Sequence, residues 1–335
     1  MEKKTSNTLR ILLSLAVAAA LLWVSFKEVQ WSEFFRSLEH CKWHWAALSV
    51  LLGALALWLR GLRWRELLLP IDPSTSRVTT FNAVCISYVA NMLIPRAGEL
   101  LRGSIIARHS ARRDGSRERL AGYDKVLGTV IIERIWDTLV LAGIAALVFL
   151  AARSGWGGFL AGKIGSFRLP SPLVLLGAGS ALLSAVVACY VLKDSFSFMG
   201  KIWGFLAGIF SGARDSLKMK GWWKFLIHTV LIWVCYWGTS LTVILALGES
   251  IPAFASLGLM DAMFVMVVGS IASVVPVPGG FGAYHYMIGT ALSVLYGIPM
   301  EQGMIYAVLS HETQTLMQII CGAACYAGEA LAKDK

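Results

Sequence analysis

Three stretches of this sequence place chemistry-bearing side chains where their surroundings are apolar. The first runs from Asn91 to Arg102, where Pro95 and Gly98 interrupt an apolar run and Arg96, Glu99 and Arg102 recur at i, i+3 and i+6. Pro95 has no backbone donor and Gly98 tolerates conformations that other residues resist, so a helix should break here and free backbone polar groups. If a helix resumes past the break, the three charges share one face. Two guanidiniums around one carboxylate leave a net positive charge, and the planar fork of arginine suits a phosphate. A surface loop with self-paired charges is the bland reading. The pattern favours an anion site in which Arg96 and Arg102 hold a phosphate and Glu99 orients them.

The second stretch is Val275–Tyr286, with Pro276, Pro278, Gly279, Gly280 and Gly282 in close succession. No helix continues through it. A helix restarting after Gly282 would aim unsatisfied amides at the break, which is a ready anion site. His285 follows, either packed against a carbonyl or lining a cavity. The third group lies inside long apolar runs: Glu133, Arg134 and Asp137 in 126–151, and His311, Glu312, Gln314 and Gln318 in 304–328. An ionisable group at the bilayer centre costs roughly 2.5–3.5 kcal/mol, so these must face protein or water. Glu133 and Asp137 share a face at i, i+4, and Arg134 can meet Asp137 at i, i+3. They are either a salt bridge that locks the span to the first break or the wall of a cavity; the two are compatible. His311-Glu312 begins like a zinc-protease helix, but that chemistry needs a second histidine where Thr315 stands. No metal and no cofactor are expected. If His285 and His311 both line one cavity, its charge should depend on pH.

The elements that must position these residues are membrane helices. The chain has 335 residues, of which 57% are hydrophobic and 15% charged, against roughly 25% charged in soluble domains. The apolar residues come in runs of about twenty, the length that crosses a bilayer core. This composition excludes a cytosolic enzyme, a disordered chain and a secreted disulfide scaffold. The net charge of +10 is read as cytoplasmic loops and contact with anionic lipid, not nucleic acid. Six cysteines at 41, 85, 189, 235, 321 and 325 match no zinc or disulfide spacing and are small core residues. The basic-then-apolar N-terminus has the look of a signal peptide, but an uncleaved first span is expected.

Six runs, 9–26, 44–62, 126–151, 171–192, 225–247 and 304–328, are long enough to cross. Two more, 79–107 and 255–298, are broken near their middles. If 79–107 dips in and returns, the basic stretch 108–125 shares a side with Arg60, Arg63 and Arg65, as the positive-inside rule favours. Both termini, 63–78, 108–125 and 193–224 are then cytoplasmic, and 27–43, 152–170, 248–254 and 299–303 external. The fold expected is an all-α polytopic membrane protein: a single domain over 1–335 with about six full transmembrane helices and two re-entrant helical hairpins. The segment 44–151, with its hairpin 79–107, repeats upside down as 225–328, with hairpin 255–298. Such inverted repeats are a common transporter architecture. Residues 200–220 carry Trp203, Leu206, Phe210, Ala213 and Leu217 at helical spacing and read as an amphipathic helix in the cytoplasmic interface.

Taken together, Ile94–Arg102, Glu133–Asp137 and Pro276–Gly282 resemble the lysylphosphatidylglycerol synthase transmembrane (flippase-like) domain family over nearly the whole chain. In fused members of that family this domain moves aminoacylated phosphatidylglycerol to the outer leaflet. The resemblance implies a stand-alone member without the soluble synthase domain, so aminoacyl transfer from tRNA is not expected. Many relatives carry a glutamate a few residues past the Pro-Gly-Gly turn, where Tyr284-His285 stands here, which weakens transfer of their substrate. The function expected is a flippase for an anionic phospholipid or polyprenyl-phosphate-type headgroup in the cytoplasmic membrane, not an enzyme. Its partners would be anionic membrane lipids and a lipid-modifying enzyme or glycosyltransferase. The alternatives are an intramembrane enzyme acting on a lipid phosphate through His285, His311 and Glu312, and a non-catalytic membrane partner of such an enzyme.

Overall fold

The structure is a computed structural model that describes residues 31–110, 120–151 and 195–331, with Trp23 and parts of 180–193. The span expected at 9–26, most of 171–192, the segment 152–170 and much of the stretch 108–125 lie outside the described residues. Among the described residues every regular element is a helix. In chain order these are α1 (Trp31–Glu39), α2 (Trp43–Leu68), α3 (Arg77–Leu93), α4 (Ala97–His109), α5 (Tyr123–Ala151) and α6 (Ser197–Ser216). They continue as α7 (Trp222–Leu247), the single turn α8 (Pro252–Ala255), α9 (Leu259–Ala272), α10 (Ala283–Tyr296) and α11 (Met300–Leu331). A 3₁₀ turn at Pro278–Gly280 separates α9 from α10.

Both expected breaks are present, and each has a local cause. Ser76 caps α3 by accepting the Thr79 N–H at 3.0 Å. The helix stops at Leu93 because the residue before a proline is pushed out of the helical region; Ile94 is extended at φ −134°, ψ 118°. Arg96 then turns the chain in the left-handed region, the only non-glycine with positive φ among the described residues. In the second break Gly279, Gly280 and Gly282 all have positive φ, between 59° and 80°, a conformation that costs glycine nothing and other residues 1–2 kcal/mol or so.

The long helices α2 and α7 pack along one another. The α3–α4 pair sits with α3 against α2 and α11, and α4 against α5. The α9–α10 pair sits with α9 against α7 and α5, and α10 against α11. Each broken pair thus touches the long helix that follows it and the corresponding long helix of the other half. Two hydrophobic cores result, one built on Trp64, Leu67, Val84, Ile105, Ile106 and Val130, the other on Val243, Leu247, Phe264, Ile288, Leu292 and Ile305. Gly98 lets α4 fold back tightly on α3, since a Cβ there would lie 2.0 Å from the Ser87 carbonyl oxygen.

The outward faces are apolar at helical spacing: Leu48, Leu51 and Leu55 on α2, Ile131, Ile135 and Leu139 on α5, Ile227, Val230 and Val234 on α7, and Leu316, Ile319 and Ile320 on α11. A soluble body does not expose such a belt. The protein is a multi-pass helical membrane protein.

One expectation needs correcting. The apolar run expected to end at 62 continues as helix to Leu68, and Arg60 and Arg63 are buried inside the bundle. They are not loop charges, and Arg65 donates to the Thr75 carbonyl at 2.7 Å, so this group carries little weight in fixing orientation. In α6 the protein contact is made by a second, small-residue stripe: Gly208, Gly212 and Ser216 are buried, while Phe210 and Leu217 of the large apolar stripe are exposed. The small stripe meets Gly128 of α5, and a Cβ on Gly212 would lie 2.0 Å from the Lys125 carbonyl. Close backbone approach through small residues is how helices associate where lipid removes the hydrophobic drive.

Candidate functional site

A cavity of about 650 Å³ lies between the two helix breaks. Its walls come from α2, α3, α4, α5, α7, α9, α10 and α11, so it is central to the bundle.

The charged wall is built on α5. Glu133 is fully buried, and its two oxygens collect guanidiniums from two other helices: Arg63 of α2 at 2.9 Å and Arg102 of α4 at 2.7 Å. Arg60 lies 3.4 Å from both Glu133 and Asp137, and Arg63 also reaches Asp137 at 2.5 Å. Arg134 turns the other way, to Glu99 at 3.3 Å, with looser contacts to Glu133 and Asp137. The cluster holds four arginines against three carboxylates, one positive charge in excess. Buried charges survive only when paired, and here both pairing and aromatic faces contribute. Arg102 lies 4.6 Å over Trp64, and Arg60 lies 5.8 Å over Tyr88 while donating to the Tyr236 hydroxyl at 3.0 Å. Pairing is incomplete, however: Nε and Nη2 of Arg102 have no hydrogen-bond partner among the described residues.

Arg96 sits apart, at the tip of the first break. It donates across the cavity mouth to the Val274 carbonyl at 3.2 Å, linking the first break to the second. Asn91 accepts the Gly98 N–H at 2.7 Å, satisfying one of the free amides at the start of α4.

The second break brings two histidines together, of which His311 borders the cavity. His311 Nε2 donates to the Gly279 carbonyl at 3.0 Å, and its Nδ1 faces Glu312 Oε1 at 3.1 Å. His285 Nε2 faces the same carboxylate oxygen at 3.3 Å. Gln314 donates to the Ser49 carbonyl and hydroxyl at 2.9 and 3.1 Å, fastening α11 to α2.

Nine of the fourteen residues singled out in the sequence border the cavity. From the first half these are Arg96, Glu99, Arg102, Arg134 and Asp137. From the second they are Gly279, Gly280, His311 and Gln314. The other five, Glu133, Pro278, Gly282, His285 and Glu312, lie outside its lining. The expectation that Glu99 orients Arg96 and Arg102 is corrected: Glu99 pairs with Arg134, and Glu133 is the partner of Arg102. Of the two readings open for His285, packing or lining the cavity, the first fits its place: it is buried beside His311 and outside the lining. Sequence reasoning missed Arg60, Tyr88 and Tyr236. Arg60 was the detectable one, since it falls inside the run 44–62 and not beyond it.

The family model of the lysylphosphatidylglycerol synthase TM region matches residues 11–322. The chain belongs to this family. The family match takes in both helix breaks and the arginine–carboxylate cluster. A curated relative, glycosyltransferase AglD of Haloferax volcanii, is 26% identical over 299 residues, which cover 79% of this chain and 45% of the relative. The chain therefore spans under half the length of that protein. No solved structure matches.

Proposed function

We propose that this member of the lysylphosphatidylglycerol synthase TM family is a translocase for lipids with anionic headgroups in the cytoplasmic membrane. The observation that carries the reading is the cavity of about 650 Å³ whose arginines outnumber the carboxylates beside it. That volume lies in the range of ordinary small-molecule sites and suits a phosphate headgroup. Arg102 offers donors with no partner among the described residues, and Arg96 bridges the two breaks at the mouth. The headgroup enters when that bridge opens, and its chains stay in lipid along the apolar belt.

Helix lengths support a re-entrant arrangement. At 1.5 Å per residue α4, α9 and α10 are roughly 20 Å long and α3 about 25 Å, short of a core of ~30 Å. The matching contacts of the two halves fit an inverted repeat, with α2–α3–α4–α5 answering to α7–α9–α10–α11. In that frame the loop after α6 and both termini face the cytoplasm. The glycosyltransferase name of the curated relative is compatible with a lipid-modifying enzyme as partner. The cluster of His285, His311 and Glu312 favours a second reading, an enzyme acting on a lipid phosphate.

The test is reconstitution into liposomes holding a fluorescent anionic lipid, with an impermeant quencher reading headgroup exposure. The wild type should move the lipid chemically unchanged by mass spectrometry. Arg96→Lys, which keeps charge but loses the fork, should insert normally and move it far more slowly. Normal rates in Arg96→Lys and Arg102→Ala would refute an arginine headgroup site, and altered lipid would favour the enzyme.

A further inference from the structure

The second break holds a group that the translocase reading does not use. His285 comes from the first turn of α10, and His311 and Glu312 from the middle of α11. Their ligand atoms all lie within 4.8 Å of one another. One oxygen, Glu312 Oε1, stands 3.1 Å from His311 Nδ1 and 3.3 Å from His285 Nε2.

The tautomer of His311 follows from its other contact. The Gly279 carbonyl can only accept, so Nε2 carries the hydrogen. In the neutral ring the lone pair of Nδ1 then points at a carboxylate oxygen, and two electron-rich atoms face each other. Either a proton on Nδ1 or a metal ion between the two atoms resolves that contact. The spacing admits an ion of the zinc class: ligands about 2.0–2.1 Å from a tetrahedral zinc stand roughly 3.3 Å apart. Both printed separations to Glu312 are close to that edge. The outer contact also has the pattern of a metal site, since a ligating histidine usually donates its second N–H to a carbonyl or carboxylate. Here that carbonyl belongs to the Pro278–Gly280 turn, whose Gly279 has φ 59°.

We propose that His285, His311 and Glu312 form a site for one divalent ion of the zinc class, with a fourth position open to solvent. Two imidazoles and one carboxylate with one open position is a known zinc set. The α11 helix alone lacks a second histidine one turn on, at Thr315; the broken hairpin supplies it from α10. The bound ion ties the glycine turn and α10 to α11. Glu312 is 39% exposed, which leaves a route for exchange, while His285 is 1% exposed. The site stands independently of lipid movement, because binding is read without lipid.

The test uses the full chain in detergent, stripped with a chelator and titrated with Zn²⁺ alone. One equivalent should bind and raise the melting temperature. Cobalt in its place should give the visible bands of a four-coordinate ion. His285→Ala, His311→Ala and Glu312→Gln should each weaken binding at least about tenfold, the scale on which even outer partners act. His44→Ala, at an exposed histidine on α2, should bind as the wild type does. X-ray absorption of the wild type needs no variant to fold and should give nitrogen and oxygen neighbours only. Less than one equivalent bound, a sulfur neighbour from Cys85 or Cys325, or undiminished affinity in the histidine variants would overturn the proposal. If the group is instead a stable His311 imidazolium–Glu312 pair that zinc does not displace, no equivalent binds and the proposal falls.

Discussion

Glu133→Gln is the most informative perturbation of the arginine cluster. Glu133 is fully buried and neutralises Arg63 at 2.9 Å and Arg102 at 2.7 Å, with Arg60 at 3.4 Å. Glutamine keeps the shape and one acceptor but removes the charge and turns an amide NH₂ toward guanidiniums. Four arginines would then face only Glu99 and Asp137. Removing one partner of a buried pair costs about 3–5 kcal/mol, because the remaining charge stays buried and unpaired. At about 1.4 kcal/mol per power of ten, the folding equilibrium should shift by roughly two to three and a half powers of ten. Glu99→Gln is the internal control. Its single 3.3 Å contact joins side chains that are 30% and 41% exposed, so the loss should be about 0.2–1 kcal/mol. Denaturant unfolding in mixed micelles, followed by circular dichroism, measures both. A double-mutant cycle with Arg102→Met should return a coupling of about 1–3 kcal/mol between the two positions. If Glu133→Gln costs no more than Glu99→Gln, Glu133 does not hold these arginines and the electrostatic account of the site is wrong.

Two further outcomes follow from the geometry. Gly98→Ala would bring a Cβ 2.0 Å from the Ser87 carbonyl oxygen, forcing α4 off α3 at a cost of about 1–3 kcal/mol as an overpacked contact; a melting temperature equal to the wild type's would contradict that crossing. Lys220→Cys, in a background without the six native cysteines, should resist an impermeant thiol reagent in intact cells and react after lysis; labelling from outside would reverse the proposed orientation.

What the sequence determines by itself is local. Pro95 with Gly98, and Pro276 through Gly282, interrupt helices because they alter the backbone's own donors and allowed angles, whatever surrounds them. The approximate extents of α5, α7 and α11 follow from apolar runs, and the depth of Glu133 and His311 within them from counting residues. Partner choice is not local. By sequence Arg102 could pair with Glu99, three residues away, or with Glu133, thirty-one away, and the helix crossing selects the distant one. The packing of α2 against α5 draws Arg60 and Arg63 inward, though their sequence context resembles that of loop charges. In α6 the sequence shows a large apolar stripe and a small one, and only contact with α5 decides that the small stripe packs. His285 meets Glu312 because the glycine turn folds α10 back onto α11. Each of these pairings depends on the rotation and separation of two helices, which are set by packing over their whole length and by no short stretch of either one.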